Sequence, residues 1–305
     1  MLNAGEAAAP VTVIDYAHQS VADAMANGRM NTDDATLLAH IQHSARLGYP
    51  QMRTWPTRGD RICLVGSGPS LASTEADLRR AVWDGAQVVT LNGAYQWCID
   101  HGIKPNTQIV MDARATNARF VSPDVPGCRY VLASQCHPDT WAAVQGRPDV
   151  WIWHAVVRKD DAISDWLDTY YQGAWFGCGG GTTVATRALT LLRMAGYVRY
   201  DLFGIDCCWL GREHHAMPQP ENARDERTRV LVGDRTRPET MRPFDVAPWH
   251  LKQFEDLATM LKLNGAHYAL TVHGDGLLAY ILRTLGSDAD QAVVRPSDSL
   301  VGGER

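Results

Sequence analysis

From residue 62 to residue 285 the chain alternates short apolar runs with longer stretches in which apolar positions recur at helical spacing. The runs at 62–65, 87–91, 107–111, 130–133, 150–153, 200–203 and 268–272 predict strands. Between them, 75–82, 94–101, 138–144, 184–195, 249–263 and 277–285 predict helices. Strand and helix in strict alternation specify an α/β fold, a mostly parallel sheet joined by crossover helices on both faces. Ahead of this unit, 17–25 and 31–46 read as two short helices, so residues 1–56 are expected to form an N-terminal helical appendage. The main domain then runs over 57–286, with 221–248, rich in Arg, Asp, Glu and Pro, as a lid or hairpin insertion, and 287–305 as a disordered tail. No element is assigned between 156 and 175.

Composition narrows the class. With 305 residues, 45% of them hydrophobic, the chain can bury a sizeable core. A net charge of −5 supplies no global basic field for nucleic acid. Its 7 cysteines are odd in number and show no C-x-x-C spacing, which suits reduced thiols better than a disulfide frame or a zinc ribbon. No leader and no membrane-spanning run is evident, so a cytoplasmic location is expected.

The strongest chemical signal is Ile62-Cys63-Leu64-Val65-Gly66-Ser67-Gly68-Pro69-Ser70-Leu71, where a buried strand breaks into a turn with two glycines. Gly66 and Gly68 let a ligand approach the main chain, Ser70 can cap the following helix, and the free N–H groups of a helix start attract an anion. The same turn also serves as a plain strand-to-helix connection. A third glycine near Leu71 and an acidic end to the next strand are both missing, because that strand closes on Asn92-Gly93. The turn therefore suits a phosphate or mononucleotide better than NAD or FAD. No Gly-Lys-Ser or Gly-Lys-Thr follows it.

Ligands of open α/β sheets sit beyond the carboxyl ends of the strands, where Ser67, Ser70, Asn92, Asp112 and Asp206 fall. Asn92 can bond a base or ribose, or cap a helix. Asp112 can hold Mg²⁺ or a ribose hydroxyl, or pair with Arg114. A second turn, Gly177-Cys178-Gly179-Gly180-Gly181-Thr182-Thr183, repeats the anion logic, with either threonine as helix cap. Beyond Asp206 come Glu213-His214-His215-Ala216, and one of these histidines can act as a general base. Trp209 beside them can stack on a base or sugar, and the mixed charges of 224–242 favour a solvated face over a lid.

Taken in order, Leu64-Val65-Gly66-Ser67-Gly68-Pro69-Ser70-Leu71, Asn92-Gly93-Ala94, Gly102-Ile103-Lys104-Pro105-Asn106 up to Met111-Asp112, Gly179 to Thr183, Gly204-Ile205-Asp206, His215-Ala216 and Val272-His273-Gly274-Asp275-Gly276 resemble the archaeal-type 6-hydroxymethylpterin diphosphokinase-like family, which includes the motility-associated flagellin glycosylation factors. The order is also similar to that of Campylobacter-type bacterial sialyltransferases. The resemblance implies a Rossmann-like nucleotide-binding core and transfer from a nucleotide donor, either a CMP-sugar or ATP with Mg²⁺. Carried over, Gly66, Ser67, Gly68, Pro69, Ser70, Asn92, Asp112, Gly179, Gly180, Gly181, Thr182 and Asp206 would contact donor. His215 or His214 would be the base, aided by Asp206, and Asp112 and Asp206 would be metal ligands if Mg²⁺ is required. Cys207-Cys208-Trp209 departs from both patterns. The reading is a sialyltransferase-like glycosyltransferase, with diphosphoryl transfer to a pterin-like alcohol and a non-catalytic nucleotide-binding protein as alternatives. The acceptor (glycan, protein, pterin-like alcohol or modified base) stays open, no membrane partner is expected, and self-association as a homo-oligomer is left open.

Overall fold

The computed structural model describes residues 32–156, 161–213, 215–219, 227–234, 237–264, 268–284 and 293–296. After helix α1 (Asp34–Ala45), β1 (Arg58–Val65), α2 (Leu71–Trp83), β2 (Gln87–Leu91), α3 (Ala94–Asp100) and β3 (Thr107–Val110) alternate, and a 3-10 turn covers Ala115–Val121. Next come β4 (Arg129–Ala133), α4 (Pro138–Ala142), β5 (Val150–Ala155), α5 (Ala162–Tyr171), β6 (Gly177–Cys178), α6 (Val184–Met194) and β7 (Tyr197–Phe203). A hairpin of β8 (Thr228–Asp234) and β9 (Arg237–Val246) precedes α7 (Pro248–Asn264), β10 (Ala269–Val272), α8 (Leu277–Thr284) and β11 (Val293–Pro296).

Eight strands form one sheet in the order β10-β7-β1-β2-β3-β4-β5-β6, and every pairing within it is parallel. Alternate residues of β1 feed opposite faces, as the two-residue strand period requires. Cys63 and Val65 pack with Leu71, Leu78, Ala94 and Trp97 of α2 and α3. Ile62 and Leu64 join the larger cluster with Leu189 and Leu192 of α6 and Leu251 and Phe254 of α7. Each fully buried aliphatic side chain in these layers stabilises the fold by about 1.5–3 kcal/mol relative to exposure.

The topology turns at β1. From β1 the chain steps outward through β2, β3, β4, β5 and β6, and α6 then carries it back across the sheet to β7, on the other side of β1. The loops leaving β1 and β7 therefore part toward opposite faces of the sheet, and the usual ligand position in such sheets, the crevice beyond the carboxyl ends of the strands, falls at these two strand ends.

The predicted N-terminal helix at 17–25 lies outside the described residues. Helix α1 begins at Asp34, because Asp33 accepts the Thr36 N–H at 2.8 Å as its cap. It docks on the sheet domain, with Ser44 Oγ donating to the Ser134 carbonyl at 2.7 Å and His40 Nδ1 at 3.2 Å from the Gln135 carbonyl. The insertion after residue 226 contains a β-hairpin, and Val293–Pro296 of the expected disordered tail pairs antiparallel with β8. Helix α5 lies in the stretch 156–175, where no element is predicted, and the first two residues of the second glycine turn form strand β6.

Candidate active site

The Gly66–Ser70 turn is bound tightly into the fold. Gly66 N–H donates to the Phe203 carbonyl and Gly68 N–H to the Gly204 carbonyl, both at 2.8 Å. Ser70 N–H donates to Asp206 Oδ2 at 2.9 Å. A Cβ on Gly66 would lie 2.5 Å from the Gly204 carbonyl oxygen, and one on Gly68 would lie 2.7 Å from it and overlap the Asp206 carboxylate. The two glycines are thus required because the β1 and β7 turns touch backbone to backbone. Ser70 is the residue before α2, but its side chain makes no capping bond. The expected cap is corrected: the carboxylate of Asp206 sits at this helix start instead, a favourable place for negative charge.

Asp206 is 4% exposed. Burial raises its pKa above the usual carboxylate range, against the opposing pull of Ser70. Cys207 and Cys208 beside it are buried; burial pushes the Cys208 thiol up to about 12 and the Cys207 thiol well above its ordinary value. These are inert packing thiols rather than nucleophiles.

Above the crevice lies the segment 215–219. Ala216 N–H donates to the Ser67 carbonyl at 2.7 Å, and His215 Nδ1 sits 3.2 Å from Ser67 Oγ. Gln219 Nε2 donates to the same hydroxyl at 3.3 Å and lies 3.2 Å from where a Cβ on Gly93 would be. The His215 ring stacks on Trp249 of α7, with centroids 6.2 Å apart and planes 13° from parallel. Ser67, His215 and Gln219 therefore meet over the ends of β1 and β2. His214, the other candidate base, lies outside the described residues.

Asn92 closes β2 in the left-handed region, φ 45°. Its carbonyl accepts Gln108 Nε2 at 2.9 Å, while its own side-chain oxygen is buried without a partner. That side chain does not cap α3, which begins after Gly93. Asp112 at the end of β3 is chelated by Arg114, with Nη2 at 2.6 Å from Oδ2 and the Arg114 N–H at 2.9 Å from Oδ1. Asp112 follows β3 and Asp206 follows β7, strands three spacings apart, about 14 Å, in the sheet. No group of three or more His, Cys, Asp or Glu side chains placed to hold a metal occurs among the described residues.

The second glycine turn stands at the far edge of the sheet, after β6. Thr183 caps α6 in a reciprocal box with Thr186. Thr182 N–H and Oγ both donate to Asp256 Oδ2 of α7 at 2.8 Å, and Lys252 Nζ lies 2.9 Å from Asp256 Oδ1. Buried Arg187 ties the same loop down, donating to the Gly181 carbonyl at 2.6 Å, the Val156 carbonyl at 2.5 Å and the Cys178 carbonyl. Gly180 and Gly181 both hold φ +99°. Helix α7 joins the two regions: Trp249 touches His215, and Asp256, seven residues on and about 10 Å along the axis, holds Thr182.

Sequence reasoning found Ser67 and His215 but missed Gln219, Trp249 and Asp256. Gln219 follows His215 by four residues in a stretch without periodicity, and no residue-level signal marks it. Trp209, expected to offer a stacking face, has the Arg227 guanidinium 5.3 Å over its ring.

The fold and its switch-point crevice define a doubly wound α/β protein with a polar site beyond the ends of β7, β1 and β2. Residues 39–212, more than half of the chain, match the MptE-like family, described as 6-hydroxymethylpterin diphosphokinase MptE-like, and the chain belongs to that family. Among solved structures, the MAf glycosyltransferase from Magnetospirillum magneticum AMB-1 superposes with a TM-score of 0.57 at 13% identity. The match covers 90% of this chain and 44% of that one, so this chain spans less than half of that protein's length and shares its fold. A mammalian sialyltransferase aligns over 87% of this chain and 89% of its own at 12% identity, with a TM-score of only 0.37. No functionally curated protein matches the chain.

Proposed function

We propose that this chain is a transferase that moves a sugar from a nucleotide-activated donor to an acceptor hydroxyl. The observation that carries the reading is the meeting of His215 with Ser67 over the crevice between β7 and β1, where the sheet topology reverses. The unpartnered Asn92 Oδ1 at the next strand end offers an acceptor atom to the base or ribose of the donor. Family membership and the fold shared with the MAf glycosyltransferase support the same class.

The chemistry asked of the site is modest. An acceptor oxygen attacks the anomeric carbon as the bond from that carbon to the nucleotide phosphate breaks, and the nucleotide leaves with the bonding electrons. The acceptor's proton ends on His215, a general-base role worth about 10²–10⁴ in rate. Specificity for a CMP-sugar, as in the sialyltransferases, belongs to this proposal.

The test is a thermal-shift screen against CMP, CDP, UDP, GDP, ADP and ATP with and without Mg²⁺, since a ligand that binds only the folded chain raises its apparent stability. One nucleoside phosphate should stand out, and His215→Ala should keep that shift while losing turnover. Wild-type turnover in His215→Ala removes the base assignment. The family description favours a second reading, ATP-dependent diphosphoryl transfer to a pterin-like alcohol. It predicts AMP release with an absolute Mg²⁺ requirement.

A further inference from the structure

Ser67 is held by two side chains at once, and their chemistry narrows what its hydroxyl can do. A serine hydroxyl has one proton to donate and two lone pairs to accept with. Gln219 Nε2 can only donate, so its contact at 3.3 Å occupies one lone pair. His215 Nδ1 lies at 3.2 Å on the same oxygen. With Gln219 on one lone pair, the contact to His215 has two forms: Ser67 donates to Nδ1 when the imidazole carries its hydrogen on Nε2, and accepts from Nδ1–H in the other tautomer. The first form is the one a proton relay needs. One lone pair of Ser67 is then left for a third partner. The ring is steadied for this by its stack on Trp249 and by the Ala216 N–H bond to the Ser67 carbonyl.

We infer that Ser67 is a catalytic proton relay and that Gln219 is the positioning residue that sets it. The inference rests on the transferase reading above. In the transfer step the acceptor hydroxyl gives its proton to Ser67 Oγ while Ser67 gives its own to His215 Nδ1. The acceptor oxygen bonds to the anomeric carbon, the carbon–oxygen bond to the nucleotide phosphate breaks, and the imidazole ends as imidazolium. Charge balances between that imidazolium and the departing phosphate. Gln219 also reaches over Gly93 at the end of β2, so the relay and the neighbouring strand end are held in one register.

The tautomer of His215 is measurable in the resting protein, independently of any substrate. In protein labelled with ¹⁵N-histidine, long-range proton–nitrogen correlation spectra distinguish the two ring nitrogens, with His215→Ala giving the assignment. Wild type should show the Nε2–H form, and Gln219→Glu, whose carboxylate competes for the Ser67 proton, should shift the population toward Nδ1–H. In turnover, Ser67→Ala should lower kcat about a hundredfold or more with the donor KM held within about twofold, and Ser67→Thr should restore most of it. Gln219→Ala should lower kcat less than Ser67→Ala does. An Nδ1–H signal in wild type, or full kcat in Ser67→Ala, overturns the relay even where the transferase reading holds. Absence of transfer from every nucleotide donor overturns the transferase reading, whatever the tautomer.

Discussion

Replacing Asp201 by Asn tests whether the crevice is held from beneath by an ion-paired carboxylate. Asp201 lies on β7 and is 3% exposed. It accepts from Arg61 Nε and Nη2 of β1 at 2.5 and 2.9 Å, and lies 3.1 Å from Nε2 of His273, just beyond β10. Three adjacent strands of the switch point are thereby pinned to one group. Burial alone would push its carboxyl up, but the bonds from His273 and Arg61 outweigh burial and take it from 3.8 to about 2. That displacement corresponds to roughly 2 kcal/mol of stability. The folded-state pKa is depressed, so the contribution is present in full above the unfolded value. It is lost as pH falls from about 4 toward about 2. Asn keeps the shape but not the charge, and leaves Arg61, about a third exposed, partly solvated. Urea unfolding at pH 7 should therefore show Asp201→Asn less stable by about 2–3 kcal/mol. The gap should shrink by about half at a pH of roughly 3. Adding Arg61→Met should recover part of the loss, because the stranded guanidinium is removed with its partner. A gap under about 0.5 kcal/mol at pH 7, or one that does not narrow in acid, refutes the reasoning.

Other outcomes follow from the same geometry. Gly68→Ala, whose Cβ would lie 2.7 Å from the Gly204 carbonyl oxygen, should destabilise by more than about 2 kcal/mol in the same assay, whereas Gly59→Ala, with nothing within 4 Å, should stay within about 0.5. Asp206→Asn can still accept the Ser70 N–H. Because burial raises the Asp206 pKa, the native state disfavours its ionised form as pH rises, so the variant should be at least as stable as wild type at pH 7 and lose that advantage as pH falls toward about 4. A clear loss of stability at pH 7 would show that the charge itself is needed. All seven cysteines are buried; a thiol reagent should label essentially none in native protein and all in urea, and rapid native labelling would contradict the packing around Cys207 and Cys208.

The strands of the main sheet were legible because burial on both faces writes them as apolar runs, and Gln87–Leu91 was predicted to the residue. Their order was not, since nothing local says that β7 returns to the far side of β1. Strand β6 has two residues, too few for a period to show. The β8–β9 hairpin was one of two readings of its segment, because mixed charge also reads as solvated surface; here one cross-strand pair is ionic, Arg229 Nε reaching Asp245 Oδ1 at 2.7 Å, and helps hold the ladder together. At the site, Ser67, Asn92 and His215 were visible because they follow or punctuate strand ends. Gln219 and Asp256 act only through tertiary contact with residues 152 and 74 positions away, and no spacing rule reaches that far.

The two glycine turns share a property that bears on where a donor is gripped. Each already holds a carboxylate of the chain: Asp206 on the Ser70 N–H, and Asp256 on the Thr182 N–H and hydroxyl. A helix start that attracts anions is thus satisfied internally at both places, and an incoming phosphate must compete with a covalently tethered rival. The glycines themselves are explained by close approach: Gly66 and Gly68 to Gly204, and Gly181 to Asp256, whose Cβ would be 2.9 Å from an added methyl. The two rivals differ. Asp206 is enclosed by Gly68, Gly274 and Gly276 and has little room to leave, whereas Asp256 has Lys252 at 2.9 Å to receive it if Thr182 is taken by another anion. Phosphate exchange is therefore easier at Thr182 than at Ser70. At the β1 end the remaining polar contacts come from side chains, Ser67, Asn92 and His215, rather than from an open backbone cradle. A donor bound in this way would place its nucleoside over β1 and β2 and lean its phosphate toward α7, which touches both His215 and Thr182.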